Sequence, residues 1–455
     1  MQSGHRLLTS CGIAALSGAL YALAYPPLGW WPLVFPGIAG FLIALRGHKG
    51  PNTLAIGLLF GFTSAAIGLS WLWHVFGSVA VQLWCVLALF PMVFGYLRNL
   101  AASRGLSGWK LAAFTTAVWT ASEFVRGELF WLKFPWQGAG VAVGPNLLLP
   151  WIGVYGVGAL TVLASSLLSS RKWLPALALV ALLIGATLVR MPVSQSDSPL
   201  RVAGLQFEGV TLTEFLKESR KLPDDIDHVV WPEYAIPYDI RKHPRDHGFV
   251  TDLCNERDIT LTFGTQLREE TGNRWRNIAL TIDPSGTRGE HTKVHTVHFF
   301  NDGVPGESAL PVQTRDGKIG TPVCFDCDYQ DVTRRMTLAG AGMFIVPIMD
   351  ALTWTARQQQ QHARLFRIRA CENARWMFVC ASSGVSQIID PAGTVHGRLE
   401  TGKQQALVGT IHSSTKLTFF TRIGWLTPWV LLAAATIWTL ALAVAKQPAP
   451  HLPAA

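Results

Sequence analysis

Ile319-Gly320-Thr321-Pro322-Val323-Cys324-Phe325-Asp326 places a cysteine at the end of a short apolar run, ahead of a turn and a helical pattern that begins near Gln330. A cysteine at a strand end before a turn is well placed to project its sulfur toward a cleft, with nearby backbone N–H groups available to a developing oxyanion. Taken alone, a cysteine is more often a small buried apolar residue. Its surroundings shift that balance. From 198 to 414 the chain alternates β-branched runs with turns and amphipathic stretches, the pattern of strands mixed with helices. Strands are expected at 201–207, 228–231, 260–264, 277–282, 317–324, 343–347, 376–381, 386–389 and 406–411. Helices are expected at 212–221, 245–257, 330–339 and 355–375. Strands and helices at this spacing imply a layered α/β domain with one core.

The rest of the chain is different. Apolar stretches at 9–25, 31–45, 53–75, 79–96, 111–125, 146–168, 173–189 and 425–444 approach the roughly 20 residues a helix needs to cross a bilayer. The domain reading is therefore a seven-helix membrane domain at 1–192, a catalytic domain at 198–414, a last membrane helix at 423–446 and a disordered Pro/Ala tail at 447–455. A signal peptide ending at Ala22-Leu23-Ala24 is the weaker reading of the first stretch, because Pro26-Pro27 and an immediate return to apolar sequence fit a retained helix and turn.

Charge distribution supports a membrane topology. Residues 1–190 hold eleven Lys or Arg against two acids, Glu123 and Glu128, so the whole net charge of +9 lies there. This excess argues against nucleic-acid binding as its purpose, and no nucleic-acid partner is expected. With a cytoplasmic N-terminus, every inside segment carries basic residues, as the positive-inside rule requires. Seven crossings then put the polar block outside the cytoplasm. The second and fifth stretches are short, and a re-entrant segment at either would invert that side.

Two further residues join Cys324. Glu233 lies in Trp231-Pro232-Glu233-Tyr234-Ala235-Ile236-Pro237, where apolar neighbours would partly desolvate the carboxylate and raise its pKa toward the range of a general base. Lys293, in His291-Thr292-Lys293-Val294-His295, gains meaning only in their company. A thiol with an ordinary pKa near 8.5 is mostly protonated at neutral pH, so a carboxylate and an ammonium are what its activation needs.

The ordered trio Glu233, Lys293, Cys324 resembles the catalytic set of the nitrilase superfamily. With the surrounding spans, the chain resembles bacterial apolipoprotein N-acyltransferases as a divergent member. The likeness runs through Pro26-Pro27-Leu28-Gly29-Trp30-Trp31-Pro32, Glu123-Phe124-Val125-Arg126-Gly127, Phe134-Pro135-Trp136, Trp231-Pro232-Glu233, Arg367-Ile368-Arg369-Ala370-Cys371-Glu372-Asn373-Ala374-Arg375 and Thr421-Arg422-Ile423-Gly424-Trp425. It implies a multi-pass α-helical membrane domain plus an α-β-β-α nitrilase-like sandwich in the inner membrane of a bacterial cell, with the catalytic domain periplasmic. It further implies Cys324 as nucleophile, Glu233 as base and Lys293 as the cation facing the tetrahedral intermediate, with Phe325 and Asp326 near the oxyanion. The acyl donor would be a phospholipid and the acceptor the N-terminal diacylglyceryl-cysteine of an apolipoprotein, with ping-pong kinetics, no cofactor and a monomeric enzyme. A membrane-tethered amidase using water as acceptor, or a non-catalytic lipid- or lipoprotein-binding relative, are the alternatives.

The chain departs from the family pattern in places. Where relatives carry a further Glu after the Lys, it reads His298-Phe299-Phe300-Asn301-Asp302-Gly303, so either Asp302 takes that role or the role is empty. Glu123 and Arg126, three apart on one helix, would form a lipid-headgroup site or a structural ion pair. Cys324-x-x-Cys327 lacks a second pair or nearby histidines, so no metal is expected, although a disulfide between the two would silence the nucleophile. The Arg- and Gln-rich stretch 357–375 reads as a solvated amphipathic helix packed by Leu365, Phe366, Ile368 and Ala370, with no catalytic duty.

Overall fold

The computed structural model describes residues 2–189, 191, 193, 199–269 and 274–444. The tail at 447–455, expected to be disordered, lies outside the described residues. The chain forms two compact units, one of Met1–Val143, Ile152–Leu188 and Leu426–Ala455, the other of Gly144–Trp151 and Val189–Trp425.

The first unit is helical. Among the described residues five helices are long and apolar enough to cross a membrane, Gly4–Leu23, Pro51–Gly68, Val79–Ser103, Leu149–Ser169 and Gly424–Val444, and Trp31–Ala44 and Trp173–Leu188 are shorter apolar ones. Small residues bring two of them together. A Cβ on Gly57 would fall 2.7 Å from backbone atoms of Pro91 and Met92, and one on Gly61 the same distance from Ala88, the close backbone approach by which membrane helices associate. The third expected span is not continuous. Leu69 leaves the helical region after Gly68, and a separate six-residue helix, Trp71–Phe76, follows. The fifth, Gly108–Phe124, runs into a π-helical turn at Val125–Leu129. In the sixth, Gly153 adopts φ 63 inside Leu149–Ser169, a conformation open to glycine and costly to other residues.

The second unit has twelve strands in two sheets. Its first sheet has the order β12-β1-β2-β3-β4-β5, made of β1 (Pro199–Gln206), β2 (His228–Val230), β3 (Thr260–Arg268), β4 (Trp275–Asp283), β5 (Gly286–Thr292) and β12 (Gln405–His412). The second runs β11-β10-β9-β8-β7-β6, made of β6 (Val312–Thr314), β7 (Gly317–Gly320), β8 (Met343–Ile348), β9 (Met377–Ala381), β10 (Ser386–Ile389) and β11 (Val395–Leu399). Val202, Val230, Ile345, Phe378 and Ile411 pack between the sheets. Helices Leu212–Arg220 and Pro244–Arg257 cover the first sheet through Phe215, Leu216, Val250 and Leu253. Helices Asp331–Leu338 and Thr355–Asn373 cover the second through Val332, Met336, Phe366 and Ala370. The result is an α-β-β-α sandwich, each sheet burying both faces.

Local chemistry explains the element boundaries. Thr211 and Glu214 form a reciprocal capping box at the start of Leu212–Arg220, which satisfies orphan N–H groups of the first turn. The Asp283 side chain accepts the Ser285 N–H at 2.8 Å, an Asx turn that folds β4 back into β5. Strand β7 stops at Gly320, short of the expected 324, because Pro322 offers no ladder donor and Cys324 turns away at φ 49. The expected solvated helix is instead buried: Gln358, Gln359, Gln361, His362, Arg369, Glu372 and Asn373 are all enclosed. Its polar residues face other buried polar groups, which amphipathic patterning cannot distinguish from water.

Candidate active site

Four chain segments that follow the C-terminal ends of strands converge, the position at which open parallel sheets place their sites. Glu233 follows β2, Lys293 follows β5, Cys324 follows β7 and Met349 follows β8. Gly264 on β3 makes room for the first of these, since a Cβ there would collide with the Glu233 backbone.

Glu233, Lys293 and Asp302 form one buried cluster. Lys293 Nζ lies 2.9 Å from Glu233 Oε1 and 2.8 Å from Asp302 Oδ2. Asn277 Nδ2 sits 2.6 Å from Glu233 Oε1 and 2.8 Å from Asp302 Oδ1. The Tyr234 hydroxyl donates to Asp302 Oδ1 at 2.5 Å, and the Val297 N–H donates to Asp302 Oδ2 at 2.8 Å. The other Glu233 oxygen accepts the Met349 N–H at 2.8 Å. Asp302 therefore occupies the position beside the lysine that the sequence left open.

The two carboxylates are not equivalent. Burial pushes Glu233 up, and the Lys293 ammonium only partly opposes this. Burial acts on Asp302 in the same direction, but Lys293, Tyr234 and the Val297 N–H outweigh it and hold the carboxyl below its usual range. Burial would pull Lys293 down, yet the Glu233 and Asp302 carboxylates lift it well above the ordinary ammonium value. One cation thus keeps Asp302 as its counter-ion and leaves Glu233 as the more basic carboxylate, the division of roles that a general base requires.

Cys324 is buried at 3% exposure and opens the 3-10 turn Cys324–Cys327 in the left-handed region, φ 49. Non-glycine residues are held there only where their surroundings dictate it. Asp326 supplies that constraint. Its Oδ2 accepts the Val323 N–H at 3.0 Å and lies 2.9 Å from His291 Nε2, while Oδ1 accepts the Val294 and His295 N–H groups at 2.9 and 2.8 Å. The Cys324 turn is thereby fastened to the strand end that carries Lys293. Phe325, between them, packs its ring edge-on against Tyr329 at 5.7 Å. The Cys324 sulfur lies 3.9 Å from the Met349 carbonyl oxygen, so Met349 faces Glu233 through its backbone N–H and Cys324 through its C=O. Burial raises the thiol well above its ordinary range, Glu233 adds to this and Lys293 opposes it. The resting group is a neutral thiol, which needs a base to react.

All seven cysteines are free thiols, Cys324 and Cys327 included. No group of three or more His, Cys, Asp or Glu suited to a metal ion occurs among the described residues. Glu123 and Arg126 lie elsewhere, in the helical unit. Glu123 accepts from Trp119 Nε1 at 2.7 Å and the Ala139 N–H at 2.9 Å, and Arg126 donates to the Gln137 carbonyl at 2.8 Å. They have separate hydrogen-bond partners, and no direct ion pair joins them.

Sequence reading missed Asn277 and the Met349 N–H. Asn277 interrupts the buried β4 run with a polar side chain, the one signal it gives; a backbone N–H gives none.

Residues 17–167 match the family model described as the apolipoprotein N-acyltransferase N-terminal domain, and residues 210–417 match that of carbon-nitrogen hydrolase. A relative from Geobacter metallireducens, named apolipoprotein N-acyltransferase, is 27% identical over 96% of this chain and 96% of its own length. One of the same name from Pseudomonas aeruginosa is 26% identical over 88% of this chain and 89% of its own. A solved nitrilase-superfamily protein of Saccharomyces cerevisiae aligns with 57% of this chain and 99% of its own, at 20% identity and a TM-score of 0.42.

Proposed function

We propose that this chain, whose residues 17–167 match the apolipoprotein N-acyltransferase N-terminal domain and whose residues 210–417 match carbon-nitrogen hydrolase, moves an acyl chain from a membrane phospholipid, through a thioester on Cys324, to the N-terminal amine of a diacylglyceryl-cysteine lipoprotein. The observation that carries the reading is the convergence of Glu233, Lys293 and Asp302 beside a cysteine held at positive φ.

Glu233 takes the thiol proton as the Cys324 sulfur bonds to the ester carbonyl carbon. The oxyanion that forms is stabilised by the Lys293 ammonium, with the backbone N–H of Phe325 as a further donor. Collapse breaks the ester C–O bond, and the departing lysophospholipid alkoxide takes the proton from Glu233. In the second half the acceptor amine attacks the thioester carbonyl and yields its proton to Glu233. The thiolate leaves and is reprotonated, restoring the enzyme. Asp302 stays charged throughout as the partner of Lys293.

The helical unit anchors the enzyme where both lipid substrates reside. Basic residues in every segment that a cytoplasmic N-terminus places inside support that orientation and a catalytic unit on the far side of a bacterial inner membrane. The test is transfer by purified protein from radiolabelled phospholipid to a synthetic diacylated lipopeptide. Label on the lipopeptide is expected; release of free fatty acid with none on the lipopeptide overturns transfer in favour of hydrolysis.

A further inference from the structure

The buried helix Thr355–Asn373 brings one titratable group next to the site that the mechanism does not use. His362 Nδ1 lies 2.8 and 3.0 Å from the two Asp350 carboxylate oxygens, and its Nε2 lies 3.2 Å from Asp328 Oδ1. The three side chains are at most 1% exposed. An imidazole with a carboxylate at each nitrogen is complementary to both only when both nitrogens carry hydrogen. Burial alone would pull His362 down, but the Asp350 and Asp328 carboxylates lift it to about 10, so it is an imidazolium throughout the neutral range.

The two carboxylates belong to the two loops that frame the sulfur. Asp328 follows the Cys324–Cys327 turn directly, and its N–H donates to the Phe325 carbonyl at 3.1 Å. Asp350 follows Met349, whose backbone N–H faces Glu233 and whose C=O faces Cys324. The helix grips this second loop again, since Gln358 Nε2 donates to Asp350 Oδ1 at 3.1 Å and Gln359 Nε2 to the Ala351 carbonyl at 2.9 Å. Asp350 also bears on the thiol electrostatically, raising it; a cation on Asp350 offsets that effect.

We propose that His362 is a positioning residue for acyl transfer, a buried cation that clamps the nucleophile turn, through Asp328, to the Met349–Asp350 loop and neutralises the Asp350 carboxylate that bears on the sulfur. The proposal rests on Cys324 being the nucleophile. It assigns a functional duty to a helix whose sequence reads as a solvated surface.

The test is the pH dependence of Cys324 alkylation by iodoacetamide in the full-length, detergent-purified protein, read by peptide mass spectrometry, alongside steady-state transfer. His362→Asn is expected to slow alkylation at neutral pH and move its midpoint up by about one pH unit, because Asp350 is left unneutralised. It should lower kcat by roughly tenfold to a hundredfold with little change in KM for the phospholipid. The double variant D350N/H362N, which removes both charges and leaves amides able to pair, should return the midpoint to that of the wild type. Should H362N not fold, D350N alone is expected to move the midpoint down. An unchanged midpoint and kcat in folded H362N, or an unmoved midpoint in D350N, overturns the clamp. Wild-type protein alkylated at Cys324 that still transfers acyl chains overturns the nucleophile itself, and so separates the two failures.

Discussion

Asp302 Oδ2 lies 2.8 Å from Lys293 Nζ, and Glu233 Oε1 lies 2.9 Å from the same nitrogen. Two carboxylates sharing one buried ammonium cannot be equally charged-stabilised, and Asp302 has the larger set of donors. Asp302→Asn gives Lys293 wholly to Glu233, whose pKa then falls. The acid limb of the pH–rate profile should move to lower pH, and kcat should drop by about 10²-fold as the base weakens. An acid limb and rate like those of the wild type would remove Asp302 from the machinery.

Asp326 joins four donors across two segments, and no single amide can replace it. Asp326→Asn leaves at least one of the Val323, Val294 and His295 N–H groups or the His291 ring without its acceptor. Each buried group so orphaned costs about 1–3 kcal/mol. The variant should unfold earlier in a denaturant titration and should lose activity in proportion to the fraction in which Cys324 leaves its left-handed conformation. Equal stability would show that the turn is held by other contacts.

Cys327 is buried, free and three residues from Cys324. Burial raises its thiol well above the ordinary range, and the neighbouring Asp326 and Asp328 reinforce this, so it is a poor nucleophile. Cys327→Ala is expected to keep activity within about threefold, with some loss from the small cavity, and added reductant should not raise the wild-type rate. A marked rise with reductant would mean that Cys324 and Cys327 pair in solution.

Two buried histidines set opposite edges of the stability profile. Burial holds His228 down at about 3, reinforced by Arg315, with its Nε2 2.9 Å from Thr262 Oγ1. It is therefore neutral when folded and binds a proton on unfolding below its ordinary value near 6.5. Stability from this site is complete above pH 6.5 and is lost as pH falls toward 3, on the order of 5 kcal/mol in all. His362, lifted to about 10, behaves in the reverse sense: its contribution is complete below pH 6.5 and fades as pH rises to 10. Chemical denaturation followed across pH should show a shallower acid limb in His228→Gln and a shallower alkaline limb in His362→Asn.

Much of the α/β unit was legible because its strands are apolar and its helices start on recognisable signals, a capping Thr211 and a first-turn Pro244. Strand β5 was not. Gly286-Thr287-Arg288-Gly289-Glu290-His291-Thr292 has two glycines and no apolar alternation, and only the Asp283 turn and pairing with β4 make it a strand. The proposed trio could be picked out by residue type and order, whereas Asn277, the Met349 N–H and His362 could not. They act by where the fold brings them, and polar residues facing a buried polar site carry the same letters as polar residues facing water. In the helical unit, the glycines at Gly68 and Gly153 lie where expected spans are interrupted, and hydropathy averages over such positions.

The central claim is a covalent acyl group on Cys324. Intact-protein mass spectrometry after incubation with a phospholipid of known acyl length should show one added acyl mass, mapped to the Cys324 peptide and absent in Cys324→Ala. Hydroxylamine and the diacylated lipopeptide should each remove it. An adduct that persists in Cys324→Ala, or transfer to lipopeptide by the wild type with no adduct trapped at any time, would contradict the account.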